Sequence, residues 1–198
     1  MPRVLYTTTR SPYARKVRIA LVEKGLPFEL VLVDLTTPTP DFVARSPLGK
    51  VPLLVDEDGT VVFDSTVMIE YLEDRYPSPS FLGGPAWAER LLHRELDELG
   101  DTIADQAVAA FLSKGRDDHG GEARAMALAG RAATEIERRL GDGRWPAAFG
   151  VGQAAIVSGL GYFEIRHGRA FLERHPALAA WAAKQAERPS VASTAPHA

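Results

Sequence analysis

The chain has 198 residues, 45% of them apolar and 25% charged, with a formal net charge of −3, a composition that supports a packed core in one large or two small domains. Divided near residue 78, its two parts carry 9 basic against 11 acidic and 14 basic against 15 acidic residues, so neither has the positive excess of a nucleic-acid binder. No apolar run approaches the ~20 residues of a membrane span, and with no cysteine in the chain disulfides, thiolate metal sites and protein-thiol redox chemistry are excluded.

Met1 leads straight into a strand pattern without the apolar segment of a signal peptide, so a cytoplasmic location is expected. Asparagine is absent and 18 arginines stand against 5 lysines, a bias that fits a GC-rich bacterial genome. Residues 3–6 read as a first strand and residues 7–10 as a loop. Ser11-Pro12 then opens a helix, with serine at the N-cap and proline at the first helical position. Tyr13, Val17, Ala20, Leu21 and Lys24 follow the helical repeat, the lysine extending past the buried face. Gly25 and Pro27 end the helix. Residues 28–35, rich in Val, Leu and Phe, predict a buried strand. A proline-interrupted stretch with a short helix near residues 41–45 follows.

Gly49-Lys50-Val51-Pro52-Leu53-Leu54-Val55 opens the next strand on a proline. Proline donates no ladder hydrogen bond, so it belongs at a strand start or an edge, and the backbone beside it is left unpaired. The Val51–Pro52 bond is expected to be cis, which costs an X-Pro bond only ~0.5–1 kcal/mol. Asp58-Gly59 is a hairpin signal. Asp64-Ser65 starts a helix whose N-terminus favours anions, with Met68, Ile69, Leu72 and Tyr76 on one face and Pro77 as its stop. An exposed strand backbone beside an anion-favouring helix start suits a peptide-like ligand with a carboxylate.

The breaker-rich residues 77–85 form a linker, and everything beyond reads helical. Long periodic helices are expected over residues 87–113 and 122–140, separated by a loop at 114–121 and packed as an antiparallel pair. Residues 153–167 are apolar almost all round and predict a buried central helix. Residues 176–188 form the last helix. Strands first and helices after point to two domains. The five histidines, His93, His119, His167, His175 and His197, show no metal-ligand spacing and read as solvated or packing residues. Asp117-Asp118 and the Glu135/Glu137 pair read as solvated surface.

Three strings together resemble the glutathione S-transferase family. The stretch from Gly49 to Ser65 resembles its glutathione-binding half. Arg10-Ser11-Pro12-Tyr13-Ala14-Arg15-Lys16-Val17-Arg18 resembles the active-site helix start of its serine- and cysteine-type members. His175-Pro176-Ala177-Leu178-Ala179-Ala180-Trp181, with Arg188-Pro189-Ser190-Val191, resembles its last helix and tail. The resemblance implies an α/β thioredoxin-like glutathione-binding domain over residues 1–78 and an all-α helical domain over residues 86–198.

It also implies roles. Ser11 would be the catalytic partner of the glutathione sulfur, a role compatible with plain helix capping; Tyr6 resembles the catalytic tyrosine placement of other transferase classes, but the Ser11-Pro12 helix start argues against that role and it reads as a core or cleft-wall residue, and Arg10 reads as a source of positive potential or a solvated loop residue. Val51 and Pro52 would hold the cysteinyl backbone, and Lys50 either the glycyl carboxylate or nothing. Asp64 and Ser65 would take the γ-glutamyl ammonium and carboxylate, against simple capping as the alternative. Asp97, Glu98, Asp101 and Asp105 form an acidic face left for solvent or a partner, and in a homodimer Asp101 could cross to the partner's glutathione ammonium. The electrophile surface would come from residues 101–111 and the C-terminal tail. The family's usual capping box at its buried helix is missing, because Gly152-Gln153-Ala154-Ala155-Ile156 stands where a Ser/Thr cap and a following Asp are common.

The expected activity is conjugation of glutathione, as co-substrate, to small electrophiles through a serine-stabilised thiolate, with no cofactor, metal, nucleic acid or membrane involved. The alternatives are a glutathione-dependent isomerase or dehalogenase, and a non-catalytic glutathione-binding or regulatory protein on the same fold.

Overall fold

The computed structural model describes residues 1–114 and 120–196. The first part runs β1 (Val4–Thr7), α1 (Pro12–Glu23), β2 (Glu29–Leu32), α2 (Pro40–Arg45), β3 (Leu53–Val55), β4 (Val61–Val62) and α3 (Ser65–Arg75). The strands form one sheet in the order β2-β1-β3-β4. β1 and β2 are parallel and joined through α1, whereas β3 runs antiparallel to both β1 and β4. This is the thioredoxin-like α/β arrangement expected from the element order.

The helical part follows as α4 (Trp87–Ser113), α5 (Gly121–Gly141), α6 (Val151–His167), α7 (Ala170–Glu173), α8 (Pro176–Gln185) and α9 (Pro189–Ala192). Arg139, near the end of α5, bonds Glu95 near the start of α4 at 2.6 Å, so the two long helices are antiparallel. α6 is buried at every position from Val151 to Leu160 and is the central helix. One apolar core joins Leu5, Val17, Leu54 and Met68 of the sheet part to Val151, Ala154 and Val157 of α6. A second lies among α4, α5, α6 and α8. The expected loop at 114–121, and with it His119 and the Asp117-Asp118 pair, lies largely outside the described residues, as does His197.

Four expectations are corrected. β2 is not a buried strand: as the outer strand of the sheet it leaves Leu30, Val31 and Leu32 exposed. An apolar run of this kind does not reveal which strand will lie at an edge.

Lys24 does not extend to solvent. It is buried, and its Nζ donates to Glu73 Oε2 at 2.8 Å and to the carbonyls of Tyr76 and Pro79 at 2.7 and 2.8 Å. A buried ammonium is tolerated only with such a full set of acceptors.

The buried helix begins at Val151, and half of its capping box is present. Gly150 N–H donates to Gln153 Oε1 at 3.0 Å. The Ser/Thr half is absent for a steric reason: a Cβ at Gly150 would fall 2.5 Å from both the Phe81 carbonyl oxygen and His93 Cε1. His93 is a packing residue. It is buried with neither ring nitrogen bonded, and burial pushes its pKa down. Of the other histidines, His175 contacts Glu137 at 3.1 Å and His167 contacts the Ala107 carbonyl at 2.9 Å.

The last helix ends at Gln185, and the separate turn α9 carries the tail back onto α1. Arg188 there donates to Glu23 at 2.6 and 2.7 Å.

Candidate functional site

Strand register places the sequence motifs at one end of the sheet. In the β1–β3 pair Tyr6 faces Leu53, and in the β3–β4 pair Leu54 faces Val62. Both pairs are antiparallel, so the same register carried outward sets the exit of β1 beside Pro52 and sets Pro52 beside Asp64. The exit of β1 leads to Ser11, the entry of β3 is Val51–Pro52, and the exit of β4 is Asp64–Ser65. All three segments therefore converge, although 54 positions of chain separate Ser11 from Ser65.

Ser11 is the N-cap of α1. Its Oγ accepts from Ala14 N–H at 3.2 Å, which satisfies one of the four free N–H groups of the first turn. The hydroxyl proton is not used in that bond, so a half-buried Ser11 can cap the helix and still donate outward. The α1 N-terminus adds the positive end of a helix dipole.

Val51–Pro52 is a cis peptide, as expected. Pro52 is buried and Val51 half-buried. Val51 lies outside the ladder of β3 and makes none of the turn or cap hydrogen bonds among the described residues. Lys50 is exposed, and its carbonyl accepts from Ser46 Oγ at 3.2 Å.

Asp64 is the N-cap of α3, with Oδ1 accepting from Thr66 N–H at 3.1 Å and Val67 N–H at 3.3 Å. The capping reading is therefore realised. It uses one carboxylate oxygen and leaves the other on an exposed side chain. Ser65 N–H, the first of the helix, is not covered by the cap, and the Ser65 side chain is buried beside it.

Tyr6 is a wall residue, tilted against Phe42 with centroids 5.8 Å apart, and its hydroxyl donates to Asp41 at 3.0 Å. Burial and Asp41 raise its pKa, which disfavours a phenolate there. Arg10 is half-buried with an unbonded Nε.

The acidic face of α4 is only partly left for solvent: Glu98 and Asp105 are exposed, but Asp97 is buried and Asp101 half-buried. Lys16, fully buried on α1, donates to Asp97 Oδ1 at 2.9 Å and Asp101 Oδ2 at 2.6 Å, and Tyr13 donates to Asp105. Burial pushes Asp101 up to about 6, against the lowering effect of Lys16. The Tyr13 phenol is raised strongly by burial and by Asp105. These residues sit within two turns of Ser11, and sequence reasoning missed their pairing. The available signal was the i, i+4 spacing of Asp97, Asp101 and Asp105, which places three carboxylates on one stripe.

Among the described residues no group of three or more His, Asp or Glu is placed to hold a metal, and no helix is long and apolar enough to cross a membrane.

The arrangement can bind a peptide-like anion along unpaired backbone and stabilise a negative charge at the α1 N-terminus. The sequence model for the glutathione S-transferase N-terminal domain matches residues 5–80. A glutathione S-transferase from Methylobacterium radiotolerans, solved in complex with glutathione sulfonate, is 35% identical, with 100% of this chain and 96% of that chain covered and a TM-score of 0.90. The chain belongs to the glutathione S-transferase family. Curated relatives include a stringent starvation protein A homolog of Haemophilus ducreyi, 38% identical over 78 residues, and a maleylacetoacetate isomerase of Pseudomonas aeruginosa, 41% identical over 83 residues. Each match takes in 39% of this chain and spans only 36% and 39% of those proteins.

Proposed function

We propose that this protein is a glutathione transferase that conjugates glutathione to small electrophiles. The observation that carries the reading is the convergence of the Ser11 hydroxyl, the unpaired backbone at Val51–Pro52 and the uncapped Ser65 N–H at one sheet end.

In this reading the cysteinyl backbone of glutathione adds to the free edge at Val51, a main-chain mode of peptide recognition. The γ-glutamyl carboxylate meets Ser65 at the α3 N-terminus, and its ammonium meets the free oxygen of Asp64. Lys50 reaches the glycyl carboxylate. The thiol proton leaves to solvent, and Ser11 O–H donates to the resulting thiolate, which the α1 dipole also favours. The sulfur then attacks the electrophilic carbon, and the leaving group departs with its electron pair.

Two further points belong to the same proposal. The protein acts in the cytoplasm as a homodimer, for which exposed Val67, Trp87 and Leu91 on neighbouring α3 and α4 provide apolar surface. Asp101 offers a partner's glutathione only the oxygen that Lys16 does not occupy.

A second reading, glutathione-dependent isomerisation, is favoured by the match to the maleylacetoacetate isomerase. Titration of glutathione together with turnover of 1-chloro-2,4-dinitrobenzene and of maleylacetoacetate separates the cases. Conjugate formation supports the transferase, isomer formation alone supports the second reading, and binding without either points to a non-catalytic protein.

A further inference from the structure

α4 and α6 lie side by side and run in the same direction. Small residues let them approach closely: a Cβ at Gly152 would fall 2.5 Å from Leu96 Cβ, and one at Gly159 would fall 2.6 Å from the Gly100 carbonyl oxygen. The stripe of α4 that meets α6 runs through Gly100, Ala104 and Ala107 and then reaches Phe111. There Arg166 of α6 lies over the Phe111 ring, its guanidinium carbon 3.9 Å from the ring centroid and 5.3 Å from that of Tyr162.

Arg166 is half-buried and its fork is free. Its Nε donates to the Tyr162 hydroxyl at 3.3 Å, and among the described residues neither Nη is hydrogen-bonded and no carboxylate pairs with it. Glu164, two positions away, is taken by Arg169 at 2.5 Å. Cation–π attraction to the two rings holds the guanidinium in place. A guanidinium so held offers two parallel N–H donors, the geometry that matches a carboxylate.

This cation stands near the Ser11 end of α1. Tyr13, two residues beyond Ser11, donates to Asp105 of α4. Burial, Asp105 and Asp101 raise the Tyr13 phenol, and Tyr162 lies close enough to add to them. Tyr13, Asp105, Phe111, Tyr162 and Arg166 thus come together from the first turn of α1 and the C-terminal halves of α4 and α6. Their charges are placed unequally. Exposed Asp105 stands on the α1 side, and Arg166 one turn of α6 beyond Tyr162. The anionic end of a substrate is repelled by the first and drawn to the second, which turns the rest of the molecule toward Ser11.

We infer that Arg166 is a specificity-determining residue of the electrophile site and selects aromatic electrophiles that carry a carboxylate. The inference rests on the transferase reading. The carboxylate takes the two free Nη groups, and the ring lies between Arg166 and the sulfur at Ser11. With an aryl chloride the C–S bond forms and the C–Cl bond breaks. Chloride leaves with its electron pair, and the thiol proton goes to solvent.

The test is steady-state conjugation by the full chain of 4-chloro-3-nitrobenzoate and of its neutral near-isostere 4-chloro-3-nitrobenzamide. Each kcat/KM is divided by the uncatalysed rate constant with glutathione, so that differences in ring reactivity cancel. The wild type should favour the benzoate at least about tenfold, the range of a charge-assisted hydrogen bond. Arg166→Gln should bring that ratio to about one, chiefly by raising KM for the benzoate. Arg166→Lys keeps a cation without the planar fork and should retain only part of the preference. A wild-type ratio near one overturns the inference, as does a ratio that Arg166→Gln leaves unchanged. If the glutamine variant fails to fold, an unchanged ratio in Arg166→Lys overturns it instead. Turnover of 1-chloro-2,4-dinitrobenzene but not of the benzoate overturns the role of Arg166 and leaves the transferase reading standing. If none of the three compounds is turned over, the transferase reading fails, and calorimetric titration with the benzoate and the amide decides Arg166 separately. A preference for the benzoate that Arg166→Gln abolishes supports the role, and equal or absent binding overturns it.

Discussion

Lys16 Nζ lies 2.6 Å from Asp101 Oδ2, tying α1 to α4 within one chain one turn beyond the Ser11–Ala14 cap. The ammonium is fully buried and the carboxylate largely so. Burial holds Asp101 near pKa 6, above the ordinary aspartate value of 3.8. The folded protein therefore binds this proton more tightly than the unfolded chain does. The resulting stabilisation is full below about pH 3.8 and is lost as pH rises through about 6. Glu23 has the opposite sign. Burial alone would raise it, but hydrogen bonds from Arg188 and Ser190 hold it below its ordinary value, so its stabilisation is present at neutral pH and lost on acidification.

Carboxyl carbon NMR checks the first of these. The Asp101 resonance should titrate near pH 6, and Lys16→Met should move that midpoint higher by removing the ammonium. A midpoint at the ordinary aspartate value in the wild type would show that the carboxylate is not desolvated.

Ser11→Ala removes two separate things. Loss of the α1 cap should cost about 1 kcal/mol of stability. Loss of the donor to the thiolate should lower kcat by about ten- to a hundredfold, equivalent to ~1.5–3 kcal/mol for a hydrogen bond to a charged group, with glutathione affinity little changed. Ser11→Thr keeps the hydroxyl and should recover most of both. Denaturant unfolding alongside steady-state conjugation kinetics reads the two effects independently, and wild-type kcat in the alanine variant would remove Ser11 from the chemistry.

Asp64 caps α3 through one oxygen, so Asp64→Ala confounds folding with binding. Asp64→Asn separates them, because asparagine caps as well as aspartate. The asparagine variant should unfold at the wild-type midpoint and yet need about tenfold more glutathione, the loss of one charged contact. Calorimetric titration gives the second quantity. Unaltered glutathione affinity in Asp64→Asn would leave capping as the residue's whole role.

Gly150→Ala should destabilise the fold by ~1–3 kcal/mol, the usual cost of overpacking, because the new Cβ meets the Phe81 carbonyl and His93. Combining it with His93→Ala should recover only part of the loss, since the Phe81 backbone remains. Thermal or denaturant unfolding of the two variants measures this directly. Full recovery in the double variant would mean that the His93 ring alone sets the constraint.

Much of the fold was legible because its signals are local. Ser11-Pro12, Gly25, Pro52, Asp58-Gly59 and Asp64-Ser65 act through hydrogen bonds and torsions spanning a few residues, so each marked its own strand or helix end where the structure has one. The apolar run at residues 153–160 likewise marked a buried central helix, because no face of it was left for water.

The candidate motifs were legible as separate strings, but their meeting was not. Only antiparallel registry of β1, β3 and β4 brings Ser11, Pro52 and Asp64 to one sheet end. The fate of charged residues was decided entirely by tertiary structure. Lys16 and Arg15 look in sequence like ordinary exposed positions of a polar helix face, and Lys24 like a lysine extending past the buried one. Lys16 and Lys24 are buried because Asp97, Asp101 and Glu73 meet them from 49 to 85 positions away, and Arg15 because carbonyls 142 and 176 positions away do so. A short-range pattern records which backbone conformation a residue prefers. Whether a charge is desolvated, paired or left free depends on groups that only the folded chain brings near.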